Sequence, residues 1–119
     1  MKVLVVDNHE DTLTRLDQAL RRAGHQAVLA RHCESAESLL AEGRFEALVI
    51  NIVVPELSGV EIVRSMRRER RSLRIVAMSG EEIGYPAIMG LKAAQALGAD
   101  AVLYQPFSDE TLMEALEPI

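Results

Sequence analysis

The sequence has little to cross-link with and little to stack. Cys33 is its only cysteine, so no internal disulfide can form, which suits a reducing compartment. Tryptophan is absent, and two Tyr and two Phe bring the aromatic content to 3%. Any core must therefore come from Val, Leu, Ile, Ala and Met. The opening apolar run, Val3 to Val6, is too short for a signal segment or a membrane span. Basic residues are outnumbered 13 to 18, and the net charge of −5 argues against nucleic-acid binding. His9, His25 and His32 are dispersed, and His32-Cys33 alone lacks metal-ligand spacing, so surface or structural roles are expected for them. What remains is 49% apolar and 26% charged over 119 residues, the balance of one globular domain. The expectation is a soluble cytoplasmic chain, residues 1–119 forming one domain, with no membrane or nucleic-acid partner.

Five short apolar runs alternate with helical patterns: Val3–Val6, Ala27–Leu29, Ala47–Ile50, Ile75–Met78 and Ala101–Tyr104. Four are apolar without alternation, as in strands buried on both faces of a parallel sheet. The second, flanked by Gln26 and Arg31, reads as an edge strand. The first helix is expected over about His9–Ala23, with Leu13, Leu16, Ala19, Leu20 and Ala23 as its buried stripe and Gly24 as its stop. The second carries Ala36, Leu39 and Leu40 and stops at Gly43. The third begins near Gly59 with Val60, Ile62, Val63 and Met66. The fourth starts near Pro86 and ends at Gly98, and the fifth has Ser108 as N-cap and closes at Pro118. Strand–helix repeated five times predicts a single doubly wound (βα)5 domain of the α/β class. Its site should lie where the strands end, at Asp7 and Asn8, Asn51, Ser79, and Gln105 with Pro106. The segment after the first strand, DNHEDTL, is neither a GxGxxG dinucleotide motif nor a Ser/Thr/Gly phosphate loop.

KVLVVDN, LVINIVVPELSG, IVAMSG and VLYQPF resemble, in order and approximate spacing, the four signature segments of bacterial response-regulator receiver domains, and the match spans essentially the whole chain. The resemblance implies a CheY-like, flavodoxin-like fold with five parallel strands in the order 2-1-3-4-5. It also implies two-component signal transduction rather than enzymatic catalysis. In that family an acidic pair after the first strand holds Mg²⁺ and an aspartate after the third accepts phosphate. A Thr or Ser after the fourth contacts the phosphoryl group, and a Lys precedes Pro-Phe after the fifth. Pro55, Gly59, Ser79 and Pro106-Phe107 match.

The reactive positions depart from the pattern. Four residues before Pro55 stands Asn51, a degenerate phosphorylation site; the acidic pair is Asp7 with Asn8; the lysine position is Gln105. The aromatic switch position is Val102, with Tyr104 in the wrong place to replace it. The stretch from Ser79 to Gln105 runs a few residues long, with SGEEIGYP as the place for the extra length. An amide is a poor nucleophile toward phosphorus. One carboxylate and two amides make a weak Mg²⁺ set, so binding is expected to be weak or absent, with no cofactor. Losing the anion and the lysine together is self-consistent, because a buried Lys without its partner is costly. The amides also remove like-charge repulsion and leave Gln105 to hydrogen-bond across the crevice. Three departures at once point to a natural pseudo-receiver rather than a single blocking substitution.

The leading expectation is a phosphorylation-independent module acting through protein contacts, with a histidine kinase or an output protein as partner. Two alternatives stay open: phosphate acceptance at another residue such as Asp7, and a small ligand in the neutralised crevice. In the fourth helix only Lys92 and Gln95 are polar, so either Ile88, Met89 or Leu91 stays exposed as a contact surface or the longer preceding loop buries the helix more fully. The resemblance implies homodimerisation or partner contact through this helix, the fifth strand and the fifth helix. The run Arg64–Arg74 holds six basic residues. It reads either as a patch for an acidic partner or as a solvated helix end.

Overall fold

The computed structural model describes residues 1–52, 58–80 and 87–117, with the backbone alone at 58 and 87–90. Strands β1 (Lys2–Val6), β2 (Gln26–Ala30), β3 (Ala47–Asn51), β4 (Arg74–Ser79) and β5 (Ala101–Tyr104) form one sheet. Its order is β2-β1-β3-β4-β5, every pairing is parallel, and β2 lies at an edge. Helices α1 (Glu10–Arg22), α2 (Cys33–Glu42), α3 (Ser58–Glu69), α4 (Ala87–Ala96) and α5 (Asp109–Leu116) are the crossovers. Expectations resting on Pro55, Pro86, Pro118, residues 81–85 and the side chains of Ile88 and Met89 lie outside the described residues.

Alternation along β1 sorts the core into two layers. Val3 and Val5 pack with Leu13, Leu16 and Leu20 of α1 and Leu112 and Leu116 of α5. Leu4 and Val6 face Ala36 and Leu40 of α2 and Ile62, Val63 and Met66 of α3. A fully buried Leu contributes roughly 1.5–3 kcal/mol of transfer free energy, so the three leucines of α1 anchor that helix. The ends follow local chemistry: Ser108 accepts the Thr111 N–H through its hydroxyl, and Gly24 takes a positive φ of 88° past the end of α1.

Three residues sit differently from expectation. Ala23 is exposed, because α1 stops at Arg22 and Ala23 is its C-cap, beyond the last inward turn. β5 is apolar yet only Leu103 is buried, and Tyr104 is 49% exposed, because β5 is the other edge of the sheet. Leu91 is buried against Ile52, Ala77 and Ala94, so it belongs to the core under α4 and lines no contact surface.

Half of the arginine run is structural. Arg67 donates to the carbonyls of Gly98 (2.8 Å), Arg71 (2.9 Å) and Leu73 (3.1 Å) and to Asp100 (2.6 Å). Arg70 donates to the Leu40 carbonyl at 2.6 Å, and Arg74 to the Ala115 carbonyl at 2.9 Å. Asp100 in turn accepts the Ile75 N–H at 2.8 Å. Half of the run therefore ties helix ends to the start of β4 and is not presented to a partner.

Candidate functional site

In this strand order the crossovers from β1 and β3 run to opposite sides of the sheet's middle, which opens a crevice at their carboxyl ends. Asp7 follows β1 directly and its N–H donates to Ala30 O at 3.1 Å, fixing it beside β2. Asn51 is the last residue of β3. Both are buried, Asp7 completely.

Asn51 Nδ2 donates to Asp7 Oδ2 at 3.3 Å. Asp7 Oδ1 accepts the His9 N–H at 3.0 Å, an Asx turn that leads into α1, and lies 2.9 Å from His9 Nδ1. Facing a carboxylate, Nδ1 is the protonated ring nitrogen. Asp7, the one carboxylate among the described residues of the crevice, is thus faced by three of the chain's own N–H groups. A second carboxylate at the same separation would change the sign of the contact. Two unit charges 3.3 Å apart repel by about 5 kcal/mol at an effective dielectric near 20.

Helix α3 starts hard against the end of β3, and Gly59 makes that approach feasible. A Cβ there would stand 2.6 Å from Ile52 Cα and 2.8 Å from Asn51 O, closer than real Cβ contacts come.

The remaining candidates are less tightly gathered. Ser79 is fully buried, with its hydroxyl donating to Gly80 O at 3.3 Å. The Gln105 N–H donates to Ser79 O at 2.7 Å, and the Gln105–Pro106 peptide is cis. The Gln105 side chain does not bridge the crevice: Nε2 lies 3.9 Å from Met78 Sδ, on the neighbouring strand β4, because two strands separate β5 from β1. Asn8 is exposed beside the buried pair. Val102 is half-buried against the cluster of Ile52, Ala77, Leu91 and Ala94.

His9 was readable only as a dispersed histidine; its place two residues after Asp7, at the helix start, was the available signal. Arg15 carried no signal at all. With His9, Thr12, Gln105 and Pro106 it lines a hollow of about 340 Å³. Its guanidinium donates to the Phe107 carbonyl and lies 5.0 Å from the centre of the Phe107 ring, holding the segment after β5 onto α1. Among the described residues no group of three or more His, Cys, Asp or Glu side chains could hold a metal ion, and no helix is long and apolar enough to cross a membrane.

Residues 3–117 match the family model of the response regulator receiver domain. The chain is similar to the alkaline phosphatase synthesis transcriptional regulatory protein PhoP of Bacillus subtilis, at 28% identity over 90% of this chain and 43% of that protein. It is 29% identical to the response regulator MprA of Mycobacterium avium, over 100% of this chain and 50% of that protein. It spans about half the length of these relatives. In solved structures, a receiver domain protein of Clostridium thermocellum superposes with a TM-score of 0.85 at 20% identity, over 97% of this chain and 90% of that one. A response regulator of Burkholderia pseudomallei, solved with a phosphorylated aspartic acid, a calcium ion and citrate, gives 0.84 at 25% identity, over 98% of this chain and 66% of that one. This chain, with its five parallel strands, belongs to the response regulator receiver domain family, non-enzymatic signalling domains of two-component systems.

Proposed function

We propose that this receiver domain is a pseudo-receiver that signals through protein contacts without taking a phosphoryl group. The carrying observation is the Asn51–Asp7 hydrogen bond of 3.3 Å: an amide stands where β3 delivers its terminal side chain, and its N–H donates to the Asp7 carboxylate. An amide offers phosphorus a poor nucleophile and forms no acyl phosphate. Asp7 makes a poor substitute, being fully buried with both oxygens accepting hydrogen bonds. Mg²⁺ binding is weak on this reading, because the ion prefers anionic oxygens and three N–H donors already crowd the carboxylate. Thermal melting tests this: millimolar MgCl₂ should move the melting temperature no more than NaCl of matched ionic strength. A saturable rise specific to Mg²⁺ would mean that the ligand set is competent.

The domain acts in the cytoplasm with a kinase or output protein, or with a second copy of itself through α4 and β5. Among the described residues, Tyr104 is the large hydrophobic side chain most exposed on that face. Tyr104→Arg should weaken self-association in sedimentation without lowering the melting temperature, and an unchanged profile would remove the homodimer. A second reading, a small anionic ligand in the crevice, draws on the hollow of about 340 Å³ beside His9 and Arg15.

A further inference from the structure

A cleft runs between α2 and α3 on the face of the sheet away from α1 and α5, and none of the crevice residues lines it. Its floor is Leu40, Ile62 and Met66. On α3, Glu61, Ser65 and Glu69 recur every fourth residue and share one edge, and Glu37 and Ala41 do the same on α2. Ala41 and Ser65 are small, and the space left is about 270 Å³. That falls just below the roughly 300–1,000 Å³ of small-molecule sites and suits one long side chain.

The rim keeps its negative charge. Glu37, Glu61 and Glu69 line the cleft against one lining cation, Arg70, whose guanidinium is drawn to the end of α2 by Leu40 O at 2.6 Å and Gly43 O at 3.4 Å. Arg64 comes no nearer than 3.8 Å to Glu61, with both groups well exposed, so that pair is weak. Carboxylates over an apolar floor complement a long cationic side chain, whose methylene stem covers apolar surface while its head stays at the polar edge. The net charge of −5 favours encounter with a basic partner.

We propose that the α2–α3 cleft docks an arginine- or lysine-rich helical segment of a partner protein, with one basic side chain seated beside Ala41 and Ser65. The test titrates the isotopically labelled protein with an arginine-rich helical peptide, using the same peptide with glutamine for arginine as control. Saturable amide shifts should be confined to α2 and α3, weaken with salt and be lost with the glutamine peptide. The double variant Glu37→Lys, Glu69→Lys should weaken binding by about tenfold or more. Ser65→Leu, at an exposed position and without a charge change, should weaken it by filling the cleft while the melting temperature holds. Failure of the arginine peptide to bind saturably overturns the proposal, as do shifts centred elsewhere or undiminished binding by both variants. Equally tight binding of spermidine with the same shifts would also overturn it, by making the occupant a free polyamine.

Discussion

At the scale of single residues, the site turns on one amide. Asn51 donates to Asp7 inside a space closed to water, so its replacement by aspartate sets two carboxylates against each other there. Burial and a like charge both raise the proton affinity of such a pair above that of the unfolded chain. The folded state then holds a proton that the unfolded state has released, so stability falls as pH rises through the folded value. Asn51→Asp should accordingly cost about 1–3 kcal/mol at neutral pH and much less in mild acid, read from urea unfolding at several pH values. A loss equal at every pH would mean that repulsion is not the cause. The sequence made Asn51 and Asp7 legible as neighbours, because each follows an apolar run destined for the middle of a parallel sheet. It could not show His9 closing on Asp7, since an i to i+2 turn depends on how the backbone leaves the strand.

At the scale of elements, Arg67 holds four together. Its guanidinium joins the end of α3 to the carbonyl of Gly98 after α4 and to Leu73 and Asp100 at the start of β4 and β5. Arg67→Ala should destabilise by roughly 2–4 kcal/mol, since four acceptors lose a charged donor, and Arg67→Lys should recover little, because an ammonium cannot fork to the same set. Chemical denaturation of both variants measures this, and a rescue by lysine would reduce the network to one ion pair. The elements themselves were legible from periodicity and caps, and so was the edge position of β2 with its polar flanks. Burial at the far side was not. β5 reads as apolar as β3, yet it has one neighbour instead of two, and α4 reads as apolar all round, so periodicity could not say that Leu91 faces inward. The arginine run was legible only as a patch or a solvated helix end, because carbonyl acceptors leave no mark in a sequence.

At the scale of the molecule, the receiver fold is intact while the described residues at its switch point carry one negative charge and no cation from β5. Sheet order, layer packing and the backbone hydrogen bond from Gln105 to Ser79 O keep the crevice assembled. On the proposed reading the scaffold is kept without the phosphorylation seen in the similar Burkholderia structure. The most direct test of the central claim is intact-mass spectrometry after incubation with acetyl phosphate and Mg²⁺. The triple variant Asn8→Asp, Asn51→Asp, Gln105→Lys serves as the positive counterpart. The wild type should gain no phosphoryl mass while the triple variant gains it slowly. A phosphorylated wild-type species, with or without Asn51→Ala, would contradict the account.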